Sequence, residues 1–427
     1  MEKLMHYVWQ HKLWTGADMT TVDGRRLRVI DPGLHNGDAG PDFFNAKIII
    51  GDRLWCGNVE IHVRASDWMR HGHQTDPAYD SVILHVVAVD DMRIRRSDGH
   101  EIDQTVMTCA PDFSRRYAEL VDSGGADRLS CAGELQSVPS IYISDWLTSL
   151  GYERLNDKSD RIAALVERFN GSWADALYVT LARALGFGVN SDAFERLALA
   201  TPLHCLMRHR DSQVTVEGTL FGQAGFLDNP PDTSHYVQRM QQEYEFMCSK
   251  FGLQRPQSLG WRMARMRPNN FPHRRIATLA ALICSGFRIG SDIFSVTGEA
   301  DARSLFDISL TGYWSRRYNF TAESSPTVKA LSQDSVTVLI INVVAPMLYV
   351  YGLAYGDTAM RERAVALLHS LAAERNSVVR LYQDAGMACD NAFTSQAMIQ
   401  LRRAYCEPRK CLYCRIGHRL LAARVRP

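Results

Sequence analysis

The chain has 427 residues, of which 46% are hydrophobic and 22% are charged, and its formal net charge is +1 at pH 7. These values are typical of a folded protein with two or more domains, and they exclude an intrinsically disordered chain. A nearly neutral chain has no overall attraction to a polyanion, so any affinity for nucleic acid must come from local charge.

The N-terminal part of the chain predicts a mixed sheet with flanking helices, which we assign to residues 1–125. The apolar runs on either side of Gly51-Asp52 predict a β-hairpin, because this dipeptide is a turn signal. The other expected elements are a helix from about Glu2, a strand over Leu27–Ile30, a short helix after Ser66 and a strand over Val82–Val87.

Acidic and imidazole side chains converge at this hairpin. The segment from Asn58 to Val63 alternates between polar and apolar residues, so a strand here places Glu60 and His62 on one face. Asp42 directly precedes the first hairpin strand, and we therefore expect it to lie beside Glu60. Two carboxylates of this kind suit Mg2+ or Mn2+, since a bound phosphate can supply further oxygen ligands.

The combination of Pro41-Asp42, a hairpin and Glu60-x-His62 resembles the PD-(D/E)xK nuclease superfamily. The resemblance implies an α+β fold in which a nuclease-like mixed sheet precedes a mostly α-helical region. It also implies that Asp42 and Glu60 hold the metal ion and that the third residue positions the attacking water. Histidine replaces the superfamily's lysine here, and an imidazole can orient or deprotonate water near neutral pH. The catalytic candidates are therefore Asp42, Glu60 and His62.

Several other titratable residues are secondary candidates for this site, namely Glu2, His71, His73 and His85. A metal hydrolase unrelated to the nucleases is a further interpretation. It would use His71, His73 and Asp76, because the spacing H-x-H can ligate zinc.

A second resemblance extends along nearly the whole chain. It rests on the segments Leu34–Phe43, Gly57–His62, His71-Gly72-His73, Gly222-Gln223-Ala224-Gly225 and Cys406–Gly417. Together these segments look like an uncharacterised bacterial family, domain of unknown function 2851. The family implies no activity, so the functional predictions depend on the individual residues.

From about residue 141 onward the pattern is helical, and we assign residues 141–427 to a helical domain. One segment, Val336–Gly356, has no charged residue and is long enough to cross a bilayer. Asn342 and Pro346 near its middle favour a buried helix instead, so no membrane span is expected. No secretory signal is visible at the N-terminus, and seven of the ten cysteines are scattered, which together predict a cytoplasmic protein.

Arginines are concentrated between residues 252 and 291, where no acidic residue occurs. We expect the following to contact the phosphates of DNA or RNA: Arg262, Arg265, Arg267, Arg274 and Arg275. Trp261 and Phe271 lie between them in the sequence and could stack on bases. The alternative is that these arginines form a solvated surface or cap helices.

The C-terminal residues Cys406, Cys411, Cys414 and His418 have the spacing C-x4-C-x2-C-x3-H. This spacing suits a tetrahedral Zn2+ ion with the histidine as fourth ligand. Zinc is the first choice, but three close cysteines and a remote fourth, for which Cys389 is the candidate, would also suit an iron–sulfur cluster. Ordinary reduced thiols are the third interpretation.

Two classes of function remain open. The first is a metal-dependent nuclease or nucleic-acid processing protein that hydrolyses phosphodiester bonds. The second is a non-catalytic nucleic-acid-binding or scaffold protein that retains a nuclease-like fold. Convergence of Asp42, Glu60 and His62, especially together with the nearby histidines, would favour catalysis.

Overall fold

The computed structural model describes residues 1–14, 19–109, 111–125, 128–323 and 330–422, and the chain divides into two compact units. The first unit contains Met1–Trp146 together with the described residues from Arg402 onward, and the second contains Leu147–Leu401. The described regular elements of the second unit are helical. The fold class is therefore α+β, as predicted, with the difference that the C-terminal cysteine segment belongs to the first unit.

The first unit is built on one seven-stranded sheet. In chain order the strands are β1 (Met19–Thr20), β2 (Arg26–Asp31), β3 (Leu34–His35), β4 (Phe43–Ile50), β5 (Arg53–Arg64), β6 (Val82–Val89) and β7 (Asp103–Val106). The order across the sheet is β1-β2-β4-β5-β6-β7, and β3 pairs with β4. Strands β2, β4 and β5 are antiparallel, whereas β5, β6 and β7 are parallel. The predicted hairpin and the predicted strand after it are confirmed.

The helices complete both units. In chain order they are α1 (Glu2–Gln10), α2 (Asp67–Arg70), α3 (Pro111–Asp122), α4 (Ser140–Arg168), α5 (Trp173–Leu185), α6 (Ser191–Ala200), α7 (Leu203–Met207), α8 (Gln213–Gln223), α9 (His235–Phe251), α10 (Pro272–Cys284), α11 (Ile289–Asp292), α12 (Glu299–Ser304), α13 (Gln333–Leu339), α14 (Ala345–Ala354), α15 (Thr358–Ser370), α16 (Ser377–Asp384), α17 (Ala392–Gln400) and α18 (Arg415–Ala422).

The core of the first unit lies on one face of the sheet, against α1. Alternation along β5 directs Val59 and Ile61 to this face, where both are fully buried in one cluster with Trp9 of α1. Burial of a side chain such as Ile61 contributes roughly 1.5–3 kcal/mol to folding. Because the apolar residues occupy this face, the intervening residues Glu60 and His62 are directed to the opposite face.

The apolar segment of the second unit forms a long interrupted helix. By length and composition alone, Gln333–Ala354 could cross a membrane, and 67% of its apolar window is buried inside the unit. Residues Ile340–Val344 form a π-helical turn. Pro346 explains this turn, because proline has no N–H to donate and its ring clashes with the carbonyl of Asn342 in a regular helix. Burial on most sides is the pattern of a core helix.

Candidate functional site

The register of the hairpin brings Asp42 beside Glu60. Phe43 pairs with Val59, so the residues at positions 42 and 60 lie opposite each other. The main-chain N–H of Asp42 donates to Oε2 of Glu60 at 3.0 Å, and the main-chain N–H of Ile61 donates to Oδ2 of Asp42 at 2.9 Å. Each carboxylate is therefore held by the main chain of the neighbouring strand.

A β-bulge immediately follows this pair. The register of β4 shifts between Phe43 and Ala46, and Asn45 has a positive φ of 58°. Asparagine tolerates this left-handed conformation better than most residues, and its main-chain N–H donates to Oδ1 of Asn58. The bulge bends β4 next to the site, so it helps to define where Asp42 lies.

Three buried polar side chains share the face of the sheet opposite the core. Glu60 and His62 alternate along β5, and the parallel register pairs Glu60 with His85 of β6. Their exposed fractions are 4%, 1% and 0%, respectively. Polar groups buried to this degree are costly unless they are satisfied by one another or by a ligand.

The connection between β5 and β6 brings two more histidines over this face. His71 ends the short helix α2, and Gly72 then takes a left-handed conformation with φ of 81° before the 3-10 turn at His73. Glycine adopts this conformation without strain, which lets the chain reverse between the two histidines. Among the described residues, the group with metal-binding separations is His62, His71 and His73, whose ligand atoms lie within 4.8 Å of one another.

Glu60 approaches the same group of histidines. Nε2 of His62 lies 3.1 Å from Nδ1 of His71 and 3.6 Å from Oε1 of Glu60, and Nε2 of His73 lies 3.3 Å from the same oxygen. Ligand atoms bound at about 2.0–2.1 Å around one tetrahedral ion lie roughly 3.3 Å apart. The separations among the three imidazoles suit a single metal ion, and the carboxylate of Glu60 lies beside two of them. We name these four residues the His62–His71–His73–Glu60 set.

His85 orients His62 within this set. Nδ1 of His62 lies 2.8 Å from Nε2 of His85, so the two rings share one proton in a hydrogen bond. If Nδ1 of His62 donates to His85, the lone pair of its Nε2 faces His71 and Glu60. Histidine ligands in metal sites are commonly oriented in this way through their second nitrogen.

Burial favours the neutral form of His62 and of His85. It is the main cause that lowers the pKa of His62 to about 4, and the positive forms of His73 and His71 would lower it further. Burial likewise holds the pKa of His85 well below its ordinary value and raises the pKa of Glu60. A neutral imidazole is the form that binds a metal ion, so the environment favours His62 as a ligand.

His6 of α1 is a residue that the sequence patterns do not indicate. Its Nε2 lies 3.3 Å from Oδ2 of Asp42. Burial opposes a charge on this ring, but Asp42 and the nearby carboxylates of Glu2 and Glu60 raise the pKa of His6 above its ordinary value. Burial lowers the pKa of both His6 and His62, but the carboxylates near His6 make its net shift opposite to that of His62. A protonated His6 next to Asp42 is available as an acid.

Aromatic rings enclose the inner side of the site. The ring of Tyr79 stacks on His73 with the centroids 3.8 Å apart, and Trp68 contacts His73 and His85 edge-on. His71 is exposed and Asp42 is partly exposed, so solvent reaches the site along these two residues. Asp76, the third residue of the alternative zinc site, caps the following 3-10 turn. Its carboxylate accepts a hydrogen bond from the main-chain N–H of Ala78.

The structure corrects the assignment of two arginines to a nucleic-acid surface. Arg274 and Arg275 are 0% and 1% exposed in α10. Arg274 donates to the carbonyls of Trp314 and Arg317, while Arg275 donates to the carbonyl of Ala330. Their helix is buried on nearly all sides, so both guanidinium groups satisfy interior carbonyls and cannot meet a phosphate.

The remaining arginines of the predicted surface are exposed, namely Arg262, Arg265 and Arg267. The indole N–H of Trp261 donates to the carbonyl of Ala224, and its ring packs against Phe194 and Phe226. Trp261 is therefore a packing residue. A positive surface remains at these three arginines, without the base-stacking role that we expected of Trp261.

His418 and Cys389 were the two candidates for the fourth ligand of a metal centre at the C-terminal cysteines, and both contact other residues. Nδ1 of His418 hydrogen-bonds with the hydroxyl of Tyr7, and its ring packs against His11. Cys389 belongs to the second unit, where it is buried near Asp390 and Glu374. The structure thus gives both residues surroundings other than the Cys406–Cys414 segment.

A family model described as "Protein of unknown function (DUF2851)" matches residues 2–377. Because this range covers most of the chain, the protein belongs to that family. The match includes all residues of the His62–His71–His73–Glu60 set and ends before Cys406. No curated protein and no solved structure matches the chain significantly.

Proposed function

We propose that the first unit of this DUF2851 protein is a metal-dependent hydrolase that cleaves phosphodiester bonds. One observation carries the proposal. The ligand atoms of His62, His71 and His73 lie within 4.8 Å of one another, and the carboxylate of Glu60 lies beside His62 and His73. A buried carboxylate beside a group of imidazoles is a frequent composition of metal centres.

The order of elements supports phosphodiesters as the substrate class. Apart from the two-residue strands β1 and β3, a helix, three antiparallel strands, a short helix and a parallel strand follow one another in the first unit. This is the order that the resemblance to PD-(D/E)xK nucleases implies. On this proposal, Asp42 and Glu60 would correspond to the two acids at the start and end of the hairpin, and His62 would correspond to the lysine.

The presence of three histidines at the site changes our expectation of which metal ion binds there. Carboxylates alone favour Mg2+, but imidazole ligands favour Zn2+ and related transition metals. We therefore assign Zn2+ as the first choice and Mn2+ as the second. A bound ion of this kind would polarise the phosphate and lower the pKa of a water molecule.

The chain's own residues would supply the remaining functions. Asp42 fixes Glu60 through its main-chain N–H and offers a second carboxylate beside the metal ligands. His85 keeps His62 oriented through Nδ1. Since its pKa is raised, His6 is suited to donate a proton to the leaving oxygen.

A non-catalytic binding or scaffold role is the second candidate. It is favoured by the fact that both ring nitrogens of His62 already have imidazole partners, His85 at 2.8 Å and His71 at 3.1 Å. A buried network of hydrogen-bonded histidines can stabilise one arrangement of a fold without any metal ion.

A cleavage assay separates the two candidates. Protein stripped of metal would be supplied with Zn2+, Mn2+ or Mg2+ and tested on labelled single-stranded and double-stranded DNA and RNA. We expect cleavage that the variant Glu60→Gln lowers by at least about 100-fold, while the exposed control Glu101→Gln retains it. Absence of cleavage with every metal and substrate would leave the scaffold role as the better account.

A further inference from the structure

Four cysteines come together in the first unit, although three of them are far from the fourth in sequence. Cys406 ends a π-helical turn, and Cys411 and Cys414 flank a short 3-10 turn before α18. The fourth, Cys131, lies in the segment after α3. All ten cysteines of the chain are free thiols.

Packing and hydrogen bonds place Cys131 next to the C-terminal cysteines. Cys131 and Cys411 pack against the same apolar core, and the hydroxyl of the adjacent Ser130 donates to the sulfur of Cys411. The sulfur atoms of Cys406, Cys414 and Cys411 are close enough to Cys131 to act on it electrostatically. Four thiolates gathered in this way need a metal centre to compensate their charge.

Two main-chain N–H groups approach the sulfur of Cys414. The N–H groups of Ile416 and Gly417 donate to it. Gly417 is needed for this turn, because a Cβ atom there would lie 2.1 Å from the carbonyl oxygen of Cys411. Hydrogen bonds from N–H groups to the sulfur ligands stabilise and tune iron–sulfur centres.

The separations of the sulfur atoms favour a cluster over a single ion. Around one zinc ion with bonds of about 2.3 Å, thiolate sulfurs lie roughly 3.8 Å apart. Within the described part of the chain, no three of these cysteines meet the 4.8 Å separation that the histidine group meets. In a [4Fe–4S] cluster each thiolate binds its own iron atom, so the sulfurs lie further apart.

We propose that Cys131, Cys406, Cys411 and Cys414 bind one iron–sulfur cluster. The spacing C-x4-C-x2-C with a remote fourth cysteine is a known arrangement for such clusters. The cluster joins the segment after α3 to the C-terminal segment of the same unit. It is separate from the His62–His71–His73–Glu60 set and does not depend on the proposed hydrolase activity.

Anaerobic purification of the full chain tests this proposal. We expect a brown protein with broad visible absorption that contains iron and acid-labile sulfide, at about four iron atoms per chain for a [4Fe–4S] cluster. Colourless protein that takes up no iron on reconstitution with iron and sulfide, or that holds about one zinc ion per chain, overturns the proposal.

Single variants test the ligand set. Cys131→Ser should lose the bound iron and the visible absorption, whereas Cys109→Ser should keep both, although Cys109 packs against the same core. Cys389→Ser should also keep both. Retention of the full iron content in folded Cys131→Ser, or its loss in Cys389→Ser, overturns the assignment of Cys131. If Cys131→Ser fails to fold, the iron and sulfide content of the wild type still decides whether a cluster is present.

Discussion

Asp42 and Glu60 hold each other through main-chain hydrogen bonds across the β4–β5 pair. The N–H of Asp42 donates to Oε2 of Glu60 at 3.0 Å, and Oδ2 of Asp42 accepts from the N–H of Ile61 at 2.9 Å. This arrangement uses one oxygen of Glu60 and leaves Oε1 directed to His62 and His73. The hairpin thus fixes the direction of the carboxylate that faces the histidines.

The variant Glu60→Gln should separate metal binding from folding. Glutamine can still accept from the N–H of Asp42, but it loses the negative charge that attracts a cation. We expect the affinity for Zn2+ to fall by at least about 100-fold in a competition titration. Without metal, the melting temperature should be unchanged or higher, because burial disfavours the charged form of Glu60.

Replacement of His85 tests the orientation of His62. His85→Leu removes the 2.8 Å hydrogen bond to Nδ1 of His62 without removing a metal ligand. The affinity for Zn2+ should fall by about 10–100-fold, as is typical when the partner of a ligating histidine is lost. His100→Leu is the matched control, since its side chain is 74% exposed. Equal affinities for the two variants would contradict the role of His85.

Glu217 of α8 should make the stability of the protein depend on pH. Burial raises the pKa of this carboxyl from 4.5 to about 7, while Gln213 and Tyr236 donate to it. Between these pH values the folded state binds more protons than the unfolded state, so the free energy of unfolding falls as pH rises. The decrease from this group is about 3 kcal/mol.

Glu217→Gln removes that dependence. Relative to wild type, this variant should gain stability as pH rises through 4.5 to 7, as measured by urea unfolding at several pH values. The exposed Glu245→Gln is the control and should follow the wild type. Parallel curves for wild type and Glu217→Gln would show that the carboxyl titrates normally.

Arg275 is predicted to stabilise the second unit rather than to bind a ligand. Arg275→Met leaves the buried carbonyl of Ala330 and the side chain of Asn270 without their donor. We expect a loss of about 3 kcal/mol in the free energy of unfolding. Arg265→Ala, at an exposed position, should change it by less than about 0.5 kcal/mol. Similar values for the two variants would contradict the structural role.

The exposed arginines are the remaining candidates for phosphate contacts. If Arg262, Arg265 and Arg267 each neutralise a phosphate, their joint replacement by alanine should reduce the salt dependence of DNA or RNA binding. The slope of log affinity against log salt concentration should decrease by about 2–3, because each lost contact releases fewer counterions. An unchanged slope would identify the three arginines as an ordinary solvated surface.

The sequence was sufficient to predict the local structure around the site. Strict alternation assigned Glu60 and His62 to one face, and Gly51-Asp52 set the hairpin that brings Asp42 to them. Both signals are local, since they depend on the two-residue period of a strand and on a tight turn. The position of His85 beside Glu60 follows from strand pairing and was suggested only by its place in an apolar strand.

Other features depend on tertiary contacts that no local pattern reveals. His71 and His73 reach His62 only because Gly72 reverses the chain, and a single αL glycine has no distinctive sequence signal. In the sequence, Cys131 is one of several scattered cysteines, and only the fold shows that it lies near Cys411. The run at Arg274 resembles a charged surface, but the continuous apolar residues that follow it in α10 were a usable sign of burial.

Anomalous diffraction at the zinc edge from crystals grown with Zn2+ would show directly whether the His62–His71–His73–Glu60 set binds a metal ion. We predict a peak at about 2.0–2.2 Å from Nε2 of His62 and from Oε1 of Glu60, with His71 and His73 as the other ligands. The same crystals of Glu60→Gln should show a much weaker peak. Ordered His62, His71 and His73 with no anomalous peak between them, at a zinc concentration that saturates other sites, would contradict the assignment of a metal centre.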